Sequence, residues 1–512
     1  MGLFSSKSSH PLADGKELKR VLELLHGLEA GAALDETKAW LESLVNAEDL
    51  KTEQCLELVF QLDEATLAHA RRLGRDYLTA PRLSRSEEYR LWSCNYTYWT
   101  QLVAAYEYCL NRHPPGDKAL KPVEPLLPLL YLRLLQAYAS GIKWAQFRYG
   151  PAEGGFWQGA GRVYLSALAA KIERKPLAMY ASGKDTTVEQ EYLLTLMLHS
   201  SSVNKLLPLE VEIAERLVAY LVPQLVFTDQ VNPANVYWVD ASKPLPPTRL
   251  ARIPEMTPTL RFLRPGAALD KIAEIRERIV KSGAVPADLQ LGGQYPSETV
   301  LSVLDHLSLN WQPKPPMRSH QRHQVKSRLS VIHGFATIHD RLANGKSFFA
   351  DGSEEEAWIA EDVSVGGMGA QVPLGVNEWI RIGALIGVQP EGGENWLIGM
   401  IRRFNRGDGR GAVGIQTIGK APHAVVADSN GLKTDMLLLD LPSLPASGAT
   451  PASDQVLTEA ICVDGVLASS AYEAGIAMTV FVEGRFLRLR PQSLLERGPD
   501  FAIVHFQIDV MS

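Results

Sequence analysis

Long apolar runs, paired cysteines and an excess of basic charge are all missing from this sequence, and each absence removes a class of function. The most apolar stretch, "VEPLLPLLYLRLL" at residues 123–135, is broken by prolines and by Arg133. Nothing approaches the roughly 20 apolar residues that a membrane-spanning helix needs. The N-terminal "MGLFSSKSSH" has no apolar core of the signal-peptide kind, although Met1-Gly2 with Ser6 fits the loose pattern for myristoylation. A soluble cytoplasmic protein is expected. Four cysteines (Cys55, Cys94, Cys109 and Cys462) form no CxxC pair and no metal-ligand spacing. They read as small buried hydrophobes in a reducing compartment. A net charge of −6 and a pI near 6.1 speak against a general nucleic-acid binder, so no DNA partner is expected.

What is present divides the chain. At 512 residues it is too long for one core. The first 15 residues read as a disordered N-terminus. From 16 to 310 the apolar residues recur at helical spacing. "KELKRVLELLHGLEA" places Leu18, Val21, Leu22, Leu24, Leu25 and Leu28 at helical spacing, and "EQEYLLTLMLHS" and "ALDKIAEIRERIVKSG" follow suit. Small alanines beside aromatics give this stretch the texture of a helical-repeat scaffold, with Trp92 and Trp99 in its core. At "WQPKPPMRSHQR" the texture changes, because Pro313, Pro315 and Pro316 cannot continue a helix. Beyond it come short β-rich runs such as "RLSVIHGFATI", "EAWIAEDVSVGGMGAQV", "ENWLIGMIRRF" and "GAVGIQTIG". Glycine and polar turns separate them, and a small barrel is the natural closure. After a second punctuated stretch, "LPSLPASGATPASD", further β runs read as a small C-terminal module. The expected boundaries are 1–15, 16–310, 311–425 and 426–512.

Two motifs carry chemistry. Arg318 and Arg322 make an RxxxR pair in the proline-rich linker. The same spacing at Arg71/Arg75, Arg402/Arg406 and Arg406/Arg410 shows how little the spacing means alone. Context adds weight: between Trp311 and Ala350 there are seven Lys/Arg residues and one acid, Asp340. This acidic protein has concentrated positive charge on one segment, which suits an anion. About forty residues on, "EDVSVGGMGA" alternates like a strand, with Val363 and Val365 expected on one side and Asp362 and Ser364 on the other. Gly366, Gly367 and Gly369 follow, where a bulge or a close approach by a ligand is expected. Asp362, Ser364 and Gly367 give a single DxSxxG in the chain. The chemistry converges on a guanine nucleotide. Guanidinium forks grip phosphate and match the O6/N7 edge of guanine, a carboxylate accepts from guanine N–H groups, and glycines let a ligand near the backbone.

RxxxR before a first strand and DxSxxG after the second resemble the PilZ domain, a bacterial β-barrel receptor for cyclic di-GMP, and "AVGIQTIG" resembles that family's closing strand. The resemblance covers about residues 315–422. It implies a PilZ-like antiparallel β-barrel there, which together with the patterns on either side gives a multidomain α + β protein: an N-terminal all-α domain, the barrel and a small C-terminal β module. It implies further that Arg318, Arg322, Asp362, Ser364 and Gly367 bind cyclic di-GMP, with no other cofactor and no metal. The gap between Arg322 and Asp362 is longer than the family's usual one. The excess, "ANGKSFFADGSEEEA", reads as an enlarged hairpin loop whose acids Asp351, Glu354, Glu355 and Glu356 would repel phosphate if folded over the site. Met317 stands where an arginine could hold a second, intercalated ligand, so one ligand per site is expected. Because the arginines lie on the linker and Asp362 on the barrel, a ligand touching both would pin the linker and change the domain arrangement. The helical domain would carry that change to a protein partner.

Enzymatic readings fare worse. "DRLANGKS" around Lys346 has Asp340 where a phosphate-binding loop requires glycine, and no helix pattern follows Ser347. His320, His323, His333 and His339 crowd into twenty residues without a cysteine or a carboxylate at metal spacing, the last two read as a strand and its turn. "GGEN" at Gly392 lacks the cyclase residues, and no phosphodiesterase signature is present. The expected protein is a receptor and not an enzyme. The alternative is a non-enzymatic helical scaffold with a degenerate PilZ-like barrel that binds no nucleotide.

Overall fold

The computed structural model describes residues 8–79, 84–112, 121–181, 183–314, 321–344, 355–374, 379–393, 395–407, 409–429, 431–441, 457–463, 476–498 and 501–510. It divides into two units, Met1–Pro316 and Met317–Ser512.

The first unit is built from α1 (Gly15–Gly27), α2 (Ala30–Val45), α3 (Thr52–Thr79), α4 (Arg85–Asn111), α5 (Leu127–Phe147) and α6 (Gly154–Ala169), then α7 (Val188–Ser200), α8 (Pro208–Leu221), α9 (Ala268–Ser282) and α10 (Ser297–Trp311). Helix α5 is predominantly apolar, and the fold buries most of it: Leu130, Leu134, Leu135, Ala137 and Tyr138 are all within the core. Helix α4 packs against α2, α3 and α5. It starts on a capping box, in which Ser84 Oγ accepts from the Glu87 N–H and Glu87 accepts from the Ser84 N–H. Ordered structure begins earlier than the disordered 1–15 reading allows. Leu12 is buried, and the Ser9 N–H donates to Asp49 at 2.5 Å, so the chain is anchored before α1.

The all-helical reading of 16–310 also passed over a sheet. A two-residue pair, β1 (Leu177–Ala178) with β2 (Asp185–Thr186), precedes β3 (Val226–Thr228), β4 (Tyr237–Asp240), β5 (Thr248–Arg249) and β6 (Leu260–Arg264), which join in the order β3-β6-β4-β5. The strands are two to five residues long, too short for a period-2 pattern to stand out. Helix α6 approaches the sheet so closely that a Cβ at Gly161 would stand 2.0 Å from the Ala241 carbonyl oxygen. Arg261 Nε donates to Tyr164 Oη at 3.0 Å, and Tyr164 stacks on Tyr192 of α7.

Burial in this unit sets a pH dependence. His199 of α7 packs edge-on against Trp157, and burial pushes its imidazole down to about 4. Unfolded, it takes a proton near 6.5. Its contribution is therefore complete above about pH 7 and is lost as pH falls from 6.5 toward 4, because the unfolded chain then binds a proton that the folded one refuses. The loss between pH 7.5 and 5 is about 2 kcal/mol. Buried Glu191 works the other way: its carboxyl is raised, so its contribution declines as pH rises above the ordinary carboxylate value. The measurement is thus a difference. Urea unfolding of wild type and His199→Gln at pH 7.5 and pH 5 should show the variant less acid-sensitive by that amount. Parallel pH profiles would contradict the assignment.

The second unit holds two closed six-stranded antiparallel barrels. The first contains β7 (His323–His333), β8 (Glu356–Ser364), β9 (Gly367–Pro373), β10 (Leu385–Pro390), β11 (Leu397–Arg406) and β12 (Arg410–Gly419), closed in the order β10-β11-β12-β9-β8-β7. The second contains β13 (His423–Ser429), β14 (Leu432–Leu438), β15 (Leu457–Val463), β16 (Met478–Val482), β17 (Arg485–Arg497) and β18 (Phe501–Val510), closed as β13-β14-β15-β18-β17-β16. The small C-terminal β module is thus a barrel in its own right. Its first strand starts at His423, inside the stretch read as the end of the first barrel.

One local reading is corrected. "FATIHDRLAN" does not prolong a strand but forms helix α11 (Phe335–Asn344) between β7 and β8. Gly334, at φ 84°, breaks the strand, and its carbonyl accepts the first helical bond from Ile338 at 3.1 Å. Phe335 and Ile338 then sit one turn apart and are buried with Leu437, Leu439, Ile461 and Phe501 of the second barrel. Arg402 adds a bidentate pair to Glu496 across the same junction, at 2.5 and 2.6 Å.

Candidate functional site

The described motif residues meet at one end of the β7–β8–β9 meander. Arg322 is the residue before β7, Asp362 and Ser364 close β8, and Gly367 opens β9. Register decides which way they face. Along β9, Met368, Ala370 and Val372 point into the core, so Gly367, Gly369 and Gln371 lie on the outer face. Asp362 pairs with Gly369 and Ser364 with Gly367, and directly opposed residues share a face. Both motif side chains therefore look outward, opposite to Val363, which pairs with Met368. Val365 departs from the expected alternation: it lies past the strand, in the turn, and is 65% exposed.

A bulge makes this possible. Trp358 and Ala360 fill the core from the even positions of β8, and strict alternation would send Asp362 and Ser364 in after them. The ladder slips at Glu361 on both sides. On one flank Ala360 pairs with Ala370 and Asp362 with Gly369; on the other Asp362 pairs with Gln324 and Ala360 with Ser327. Glu361 is the extra residue against β9, while on the other flank the extra residue lies in β7; the slip turns the strand over and puts the carboxylate on the surface.

Asp362 Oδ1 accepts from Arg322 Nη1 and from the Gly369 N–H at 3.0 Å. Its second oxygen makes no hydrogen bond among the described residues. The pair is partly buried, with side-chain exposures of 25% and 22%. Ser364 Oγ donates to the Gly367 carbonyl at 3.1 Å and closes the turn. Gly369 has a steric reason to be bare, since a Cβ there would stand 2.9 Å from Asp362 Oδ1.

The same outer row continues beyond the motif. Gly369 pairs with Gly414, and Gly414 with Arg403. Two neighbouring glycines leave the barrel wall low between Asp362 and Arg403, a span of roughly 14 Å at ordinary strand spacing. Arg403 lies over Gly414, and its Nε is buried without a hydrogen-bond partner. No motif pointed to Arg403, because only the strand order β8-β9-β12-β11 brings it into the row. The nearby Arg402 of the RxxxR spacing is engaged instead with Gln416 and Glu496.

Other expected features fall elsewhere. Arg318, Met317 and His320 lie outside the described residues, as do Lys346, Asp351 and Glu354. Glu355 is paired with Arg341 at 3.0 Å. Glu356 accepts from the indoles of Trp358 and Trp379 at 2.8 and 2.7 Å. It begins β8, at the far end from Asp362, so neither acid covers the site. His333 stacks on Trp379, and His339, on a helix and not in a turn, bonds the Val425 carbonyl at 3.1 Å. No group of three or more His, Cys, Asp or Glu able to hold a metal occurs among the described residues. No helix among them is long and apolar enough to cross a membrane. All four cysteines are free and buried.

No curated protein is a significant match to the chain. A family model described as "Cyclic-di-GMP receptor FimW, N-terminal domain" matches residues 16–233, fewer than half of the 512 and all within the helical unit, so that stretch is similar to the N-terminal domain of a cyclic-di-GMP receptor family.

Proposed function

We propose that this protein is a cytoplasmic, non-enzymatic receptor for cyclic di-GMP, and that the dinucleotide binds the outer face of the first barrel. The observation that carries the reading is the convergence of Arg322 and Asp362, forty residues apart in sequence, beside a floor of glycines. The similarity of residues 16–233 to the N-terminal domain of a cyclic-di-GMP receptor family supports it independently. In this reading Arg318 and Arg322 grip phosphate and the guanine edge, and Asp362 accepts guanine N–H groups on its unused oxygen. Gly367 and Gly369 keep the wall low, Ser364 holds the turn, and Arg403 supplies a further guanidinium on the far side of the shelf. Arg322 bonds Asp362, and that bond orients both groups for the ligand. Pinning the linker that carries Arg318 would alter the domain arrangement and expose or reshape a partner-binding surface on the helical unit.

Isothermal titration of the full chain with cyclic di-GMP tests this. One ligand per chain is expected. Arg318→Ala and Arg322→Ala each delete a charge-assisted fork of roughly 1.5–3 kcal/mol, about ten- to hundredfold in affinity. Asp362→Ala removes a guanine contact but also frees Arg322, so it should erode discrimination against cyclic di-AMP more than affinity. Arg174→Ala, an exposed guanidinium paired with Glu189 in the helical unit, should bind as wild type. Met317→Arg should raise the stoichiometry. A wild-type chain that binds no cyclic di-GMP would leave the scaffold reading in its place.

A further inference from the structure

The helical unit contains a cavity of about 390 Å³, lined by α3, α4, α5, α7 and α8 and by the loop at Gly292–Tyr295. Its size lies within the range of small-molecule sites. Three features of the lining define an occupant. Planar apolar walls come from Trp99, Trp144, Phe147 and Tyr295. Two buried polar atoms, Gln136 Oε1 and His199 Nδ1, have no hydrogen-bond partner. Buried polar atoms are nearly always bonded, so two left open along one cavity, on α5 and α7, call for a partner that enters it.

Charge supplies the third feature. Lys143 bonds Glu212 at 2.8 Å and Glu215 at 2.5 Å, and Arg216 bonds Glu212 at 3.0 Å, so two cations and two anions cancel. Glu191 is tied to Thr186 Oγ1 at 2.8 Å, and burial favours its neutral form. Arg71 and Arg75, one turn apart on α3, also line the cavity but are exposed and have no carboxylate partner among the described residues. They leave a surplus of positive charge. The RxxxR spacing that is uninformative in the sequence thus places two free guanidinium forks at one site.

We infer that this cavity is a second ligand site, separate from the barrel, for a planar aromatic anion of about mononucleotide size: a ring stacked among the indoles with its polar edge toward Gln136 and His199, and a phosphate or carboxylate head held by Arg71 and Arg75. Ring and head together explain why one cavity combines aromatic walls, open hydrogen-bonding atoms and unpaired arginines.

The fluorescent aromatic sulfonate 8-anilinonaphthalene-1-sulfonate has this chemistry and serves as the probe on the full chain. Saturable binding of one probe per chain is expected. Arg71→Ala/Arg75→Ala, at exposed positions, should weaken it tenfold or more, and Gln136→Leu should weaken it with the arginines intact. Arg72→Ala, the neighbour outside the lining, and Arg322→Ala on the barrel should leave it unchanged. GMP and indole-3-acetate, added as competitors, distinguish a phosphate head from a carboxylate head. Displacement by either one, sensitive to the Arg71/Arg75 pair, supports the site and names the head group. Displacement by neither, or probe binding indifferent to the loss of both arginines, would overturn it. Because Arg322→Ala separates the two sites, failure here is distinguishable from failure of cyclic di-GMP to bind the barrel.

Discussion

Arg133→Met should destabilise the helical unit by about 3–5 kcal/mol, the cost of leaving a buried charge without its partner. The guanidinium is 4% exposed and fully engaged. Nε donates to the Met179 carbonyl at 3.0 Å, Nη1 to the Phe60 carbonyl at 2.9 Å and Nη2 to Glu64 at 3.1 Å. Its charge also lies over the rings of Tyr180 and Phe60, at 4.5 and 5.0 Å. Asp63, wholly buried, stands 3.6 Å away and accepts from Tyr106 at 2.6 Å, Tyr180 at 3.2 Å and Tyr98 at 3.4 Å. Burial raises the Asp63 carboxyl, while Arg133 and the tyrosines pull it back down. Without Arg133 only the burial and the tyrosines remain, so Asp63 should fold protonated, and the variant should lose stability as pH rises above the ordinary carboxylate value. Asp63→Leu/Arg133→Met should recover much of the loss, since replacing both members of a buried pair is far milder than removing one. Urea unfolding of the single and double variants measures both quantities. A single-variant loss below about 1 kcal/mol would show that the pair is dispensable.

Gly367→Ala should cost the first barrel about 2–4 kcal/mol, whatever happens to ligand binding. A Cβ at Gly367 would stand 2.1 Å from the Ile415 carbonyl oxygen and 3.1 Å from the Gln416 Cα, and the residue holds φ at 155°. The obstacle is backbone, fixed in the β9–β12 ladder by the pairs Met368–Ile415 and Gly367–Gln416, so it cannot yield as a side chain would. Gly369→Ala provides the contrast. Its Cβ would meet a side-chain oxygen, Asp362 Oδ1, which can swing away. That variant should keep nearly wild-type stability but lose cyclic di-GMP affinity, because the carboxylate is displaced from its place beside Arg322. Thermal unfolding followed by titration separates the two effects. Equal loss of stability in both variants would mean that the motif glycines share a single structural duty.

The steric role of Gly367 also shows what a motif can conceal. Its glycine is required by the barrel before any ligand is considered, and Ser364 likewise closes the turn. Among the described motif residues, only Arg322 and Asp362 combine outward placement with chemistry that the fold does not consume. Arg71 and Arg75 make the converse point. Their spacing is common along the chain, and only a fold that lines one cavity with α3, α5, α7 and α8 brings them to it.

The division between helices and β-rich barrels was legible in the sequence, because apolar periodicity changes at the proline-rich stretch and long periodic segments bury one face wherever they pack. Asp362 and Ser364 were legible as a pair, being two apart on a strand. Only the tertiary structure decided the rest. It made α11 a helix, since a glycine at positive φ and a groove against the second barrel outweigh the β-branched run before it. It placed the short strands of residues 226–264 in a sheet, since their pairing partners come from distant positions. It turned Asp362 outward through a bulge at Glu361, and it brought Arg403 into the same row through a strand order that no local pattern encodes. Periodicity records how each segment meets its surroundings; register, bulges and cavities depend on which other segments those surroundings are.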